Sequence, residues 1–91
     1  MNDTVRIQPV ISHRDARGSL FEPLDAGQLA AQKNVHVVLT EPGGIRGNHR
    51  HTASTEVTVV IGPCLVRLKE AAGVRDVHVP VAEAWQFTIP P

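Results

Sequence analysis

Between Gly44 and Glu56 the chain reads Gly-Ile-Arg-Gly-Asn-His-Arg-His-Thr-Ala-Ser-Thr-Glu, which sets His49 and His51 two apart and Glu56 five residues beyond. On a strand, residues i and i+2 project to one face about 6.6 Å apart, so the two imidazoles share a side. Glu56 has the wrong parity to join them on a straight strand. If Thr52–Thr55 is instead a four-residue hairpin loop, His51 faces Glu56 and His49 faces Thr58 across an antiparallel pair. Residues so opposed carry Cβ atoms about 4.5–5.5 Å apart. Val57, Val59 and Ile61 then form an apolar row on the other side.

Two imidazoles and a carboxylate on one face can do two kinds of chemistry. They are the ligands of a facial two-histidine, one-carboxylate metal site, which would take zinc, iron, manganese or nickel. They also serve metal-free acid–base work, because imidazole titrates near neutrality and one ring can accept a proton while its neighbour gives one. Two surface histidines flanking a hairpin are the third reading. The preceding loop carries Arg46, whose planar guanidinium suits a phosphate or a carboxylate.

Other polar residues offer less. Arg17 lies in the Asp15-Ala16-Arg17-Gly18 turn, where it can reach a ligand or pair with Asp15. Glu22 can reach the site or solvate a strand edge. His36 falls in a strand pattern with Val38 and Thr40, and suits a structural role better than a pocket. His13 and His78 read as exposed, and Cys64, alternating with Val66 and Leu68, as a small buried hydrophobe.

The elements that would position these groups follow a period of two. Residues 35–40, 56–62, 64–69, 74–79 and 85–89 each read as strands rich in β-branched residues. Turn residues separate them at short intervals, and residues 13–20 read as a tight turn between two short strands, with Gly18 free to take a positive φ. Residues 24–34 allow one or two helical turns, weakened by Gly27. Trp85, Phe87 and Ile89 share a core face, with Gln86 and Thr88 opposite. Many short strands in one 91-residue domain predict an all-β antiparallel sandwich or barrel.

Composition narrows the partners. Nine basic residues balance nine acidic ones and are scattered, which argues against nucleic acid or an anionic membrane surface. No apolar run approaches a spanning helix, and the polar start does not resemble a signal peptide. A single cysteine permits no internal disulfide, which suits a reducing cytoplasm.

The spacing from Gly43 through His49, His51 and Glu56 to Gly62 resembles the first cupin motif, one residue short before the last glycine. Residues 15–22, Asp-Ala-Arg-Gly-Ser-Leu-Phe-Glu, and 46–51, Arg-Gly-Asn-His-Arg-His, resemble segments of cupins that act on nucleotide-linked keto sugars. These include dTDP-4-dehydrorhamnose 3,5-epimerases, dTDP-sugar 3,4-ketoisomerases and the C-terminal cupin of capsule-biosynthesis reductases. A histidine at 51, where the 3,5-epimerases carry glutamine, is more similar to the latter two. The absence of tyrosine, the usual acid of the 3,5-epimerases, points the same way.

The resemblance implies a small jelly-roll barrel over roughly residues 13–91. It implies His49 as base at the carbon beside a sugar ketone, and His51 as proton donor or, with His49 and Glu56, metal ligand. Arg46, and less strongly Arg17, would bind the nucleotide or the sugar. No cofactor is needed for isomerisation. The second cupin motif would follow Pro91, where the chain ends, so the expected barrel is truncated and either incomplete or completed by dimerisation. A metal-dependent cupin, such as an oxygenase on a small acid, and a non-catalytic sugar- or ligand-binding cupin are the rival expectations.

Overall fold

The computed structural model describes residues 4–47 and 53–91. Among these residues seven short strands and one short helix follow one another: β1 (Arg6–Pro9), β2 (Ser12–Asp15), β3 (Gly18–Phe21), α1 (Ala26–Ala30), β4 (Glu56–Ile61), β5 (Cys64–Glu70), β6 (Gly73–Val79) and β7 (Ala84–Ile89). The fold is all-β and its ladders are antiparallel. One three-stranded sheet has the order β1-β7-β4, and two hairpins, β2–β3 and β5–β6, accompany it. Among the described residues these ladders do not join into a closed ring.

The predicted alternation in the last strand holds, and it organises the core. Phe87 stands opposite Ile7 and Thr58, and Trp85 opposite Val60 and Pro9, so their side chains line one face of the sheet. On that face Phe87, 1% exposed, clusters with Val5, Leu68 and Val79. Leu68 and Val79 come from the β5–β6 hairpin, which therefore covers the face. With only three aromatic residues in the chain, this aliphatic packing around Phe87 supplies the apolar burial on which a small β fold depends.

Side chains tie the N-terminal strand to that hairpin. Val5 N–H donates to Glu70 Oε2 at 2.7 Å, while Arg75 donates to the Val5 carbonyl at 3.1 Å. Arg75 and Glu70 are themselves paired at 3.0 Å, and the Glu70 side chain is only 8% exposed. A carboxylate and a guanidinium thus give the buried backbone of Val5 the acceptor and donor that a neighbouring strand would otherwise supply.

The short helix has a local cause. Asp25 caps it: its side chain accepts from Gln28 N–H at 2.7 Å and Gln28 Oε1 accepts from Asp25 N–H at 3.0 Å, a reciprocal capping box. The helix ends after a single turn and a half, within the length expected from residues 24–34.

Residues 35–40 depart from expectation. They form no strand, and Val35, Val37, Val38 and Leu39 lie between 53% and 87% exposed. Their alternation and β-branching favour an extended backbone, but no described strand lies beside them to accept their hydrogen bonds, and a strand is defined by that ladder. His36, read as structural within this strand, is accordingly exposed.

Candidate functional site

Glu56 opens β4 and stands opposite Ile89, so it projects to the same face as Thr58, Val60 and Phe87. Thr58 Oγ1 donates to Glu56 Oε2 at 3.0 Å, the i,i+2 contact that strand geometry permits. The carboxylate is half-buried at the margin of the face that the β5–β6 hairpin covers. Val57, Val59 and Ile61 take the opposite face, as the parity of the strand requires; Val57 and Val59 are half-buried there and Ile61 is exposed. His49 and His51 lie outside the described residues, as does Thr52, so the four-residue hairpin loop expected at 52–55 lies partly outside them too. Among the described residues no three His, Cys, Asp or Glu side chains gather in a metal-ligating cluster.

The loop leading to the histidines is shaped by its own residues. Pro42 and Gly43 occupy a turn closed by Gly44 N–H to the Glu41 carbonyl at 2.9 Å. Gly43 has φ +83, the left-handed conformation that the second central residue of such a turn needs and that glycine adopts without strain. Arg46 then folds back, its Nε donating to Thr40 Oγ1 at 3.0 Å and its guanidinium reaching the Leu39 carbonyl at 3.5 Å. Arg46 is exposed, so this pinch holds the loop while leaving the cation at the surface.

Arg17 is committed to its own turn. Its Nη2 meets Asp15 Oδ2 at 2.6 Å and its backbone N–H donates to Asp15 Oδ1 at 2.8 Å. The guanidinium holds the Asp15 carboxyl below its ordinary value. The turn pairing weighed from the sequence is therefore present. His13 and His78 are exposed, as expected.

Cys64 corrects its expectation: it is exposed, although Val66 is half-buried and Leu68 buried on the same face. It opens β5 and stands opposite the buried Val79. Partial desolvation still raises its thiol above the usual range, so the protonated form prevails at neutral pH.

Gln86 is the polar residue that the sequence reading placed outward and that the structure buries, at 3% exposed. It sits on the face opposite Phe87. Its Oε1 accepts from Gln8 Nε2 at 2.7 Å and Gln28 Nε2 at 2.8 Å, and its Nε2 donates to the Pro23 carbonyl at 2.9 Å. The pattern D-x-x-Q at Asp25–Gln28 marks the start of α1, but no local signal shows that this turn lies over Gln86, 58 residues away from Gln28.

A small antiparallel β protein with an arginine-bearing glycine loop before an inward carboxylate is the class these features define. Residues 13–89 match the family model described as the polysaccharide biosynthesis C-terminal domain, and the chain belongs to that family. No curated protein and no solved structure matches it.

Proposed function

We propose that the chain is a nucleotide-sugar isomerase or epimerase of the cupin type, working in polysaccharide biosynthesis. The observation that carries this reading is the family match over residues 13–89, which spans both sugar-cupin-like segments and Glu56. The inward position of Glu56 supports it.

In this mechanism His49 takes the proton from the carbon beside the sugar ketone, leaving an enolate. His51 returns a proton: to the opposite face of that carbon for epimerisation, or to the former carbonyl carbon, while the neighbouring hydroxyl gives its proton to the former carbonyl oxygen, which moves the ketone one place. Glu56, oriented by Thr58, orients the His51 ring and stabilises its protonated form. Arg46 exchanges its contacts with Thr40 and Leu39 for the nucleotide diphosphate, to which its guanidinium binds more strongly than to neutral oxygens. A divalent metal would need His49 and His51 beside Glu56; both histidines lie outside the described residues.

Incubation with a 4-keto-6-deoxy nucleotide sugar in deuterated water should place deuterium beside the ketone. Loss of one general acid–base group typically removes about 10²–10⁴-fold of rate, so His49→Ala should abolish measurable exchange. Wild-type exchange no faster than that variant would refute the activity.

The functional unit we propose is a homodimer. Among the described residues β1 and β4 are the outer strands of the central sheet, and open edges recruit partners.

A further inference from the structure

We propose a second binding site, for a neutral saccharide, on the face of the central sheet opposite Glu56. A cavity of about 510 Å³ opens there between β1, the β2–β3 hairpin and the α1 turn. Its size falls within the range of small-ligand sites.

Gln8, Gln28 and Gln86 present a preorganised amide cluster at its wall. Gln86 is fixed by four hydrogen bonds, so its neighbours hold their orientation before a ligand arrives. His13 and Glu22 also line the cavity, and their side chains hold no hydrogen bond or ion pair to another described residue. With the Gln86 amide saturated, the remaining amide groups of Gln8 and Gln28, the His13 imidazole and the Glu22 carboxylate offer both donors and acceptors, the complement of sugar hydroxyls, which are both at once. Val10, Ile11 and Leu20 add apolar wall for the C–H faces of a ring.

Charge selects the class. Glu22 and Asp25 are on the lining and no Lys or Arg is, which disfavours a phosphate or a nucleotide diphosphate. None of the three aromatic residues lines the cavity, so no ring stacks on the sugar and the affinity is in the millimolar range, a few kcal/mol of binding. The site shares no lining residue with His49, His51, Glu56 or Arg46, and stands independently of the isomerase reading.

The test is a titration of the ¹⁵N-labelled full chain with D-glucose, D-galactose and D-glucosamine, with glycerol as control, followed by two-dimensional NMR. At least one neutral sugar should give saturable millimolar shifts centred on the side-chain amides of Gln8, Gln28 and Gln86. Glu22→Ala should weaken that binding about fivefold or more, the loss of one charge-assisted hydrogen bond, with an unchanged melting temperature because Glu22 holds no other group among the described residues. Absence of saturable shifts with either neutral sugar, shifts no different from glycerol, or unaltered binding in Glu22→Ala would each overturn the proposal. Binding of glucosamine alone would overturn it in favour of recognition of an amine.

Discussion

At the residue scale, two carboxylates carry the clearest electrostatic signature. The Arg17 guanidinium depresses Asp15, and the Arg67 guanidinium depresses Asp76, which it grips at 2.8 and 3.0 Å across β5 and β6. A carboxyl whose folded value is lowered contributes stability above its unfolded value, about 3.9, and loses it as pH falls through the folded value. Both pairs are solvent-exposed, so their effect on stability is small. The expected outcome in an NMR pH titration is a midpoint below 3.8 for both aspartates. Arg17→Ala should raise the Asp15 midpoint towards the ordinary value and leave Asp76 unmoved. The Asp15–Arg17 pair was legible from the sequence because its members are two residues apart. Arg67 and Asp76 meet only through the β5–β6 register.

At the element scale, close backbone approaches decide which residues are replaceable. A Cβ on Gly62 would run into the Val79 and Pro80 carbonyl oxygens, where the chain leaving β4 forms a bridge to Val81 and donates from Gly62 N–H to the Glu83 carbonyl at 3.0 Å. Gly62→Ala should therefore destabilise the fold by about 2–3 kcal/mol, as overpacking against backbone does. Urea unfolding followed by the fluorescence of Trp85 would measure it. This glycine stood out in the sequence as the end of the histidine motif; its role in the structure is to let two chain segments touch.

The clamp on β1 makes a second expectation at this scale. Glu70→Ala leaves Val5 N–H without its acceptor and Arg75 without its partner, and should cost about 2 kcal/mol, the partly exposed Arg75 moderating the loss. Hydrogen exchange should show faster opening of β1 than of the β5–β6 hairpin in this variant. No local pattern announces the clamp, because Val5 and Glu70 are 65 residues apart.

At the scale of the whole molecule, the outer strands β1 and β4 of the described central sheet and the exposed side chains of Val35, Val37, Val38 and Leu39 set the expected assembly. Contiguous exposed hydrophobic surface is uncommon on monomers and marks interaction sites. Light scattering on a size-exclusion column should report twice the 9.8 kDa chain mass across micromolar concentrations. A purely monomeric profile would contradict the homodimer.

The sequence by itself determined the class of fold and most of its strands, because alternation along 56–62, 64–69, 74–79 and 85–89, within a residue of the observed bounds, sets which side chains can share a face. It also placed Phe87 in the core and Glu56 on the face opposite Val57. What only the tertiary structure decided is whether a face or a ladder is in fact covered. Gln86 and Phe87 are adjacent and point to opposite sides, yet both are buried, since α1 covers one side and the β5–β6 hairpin the other. Residues 35–40 have the pattern of a strand and no described neighbour to pair with. Alternation is a property of one segment; burial and pairing are properties of two, and the second must be brought there by the fold.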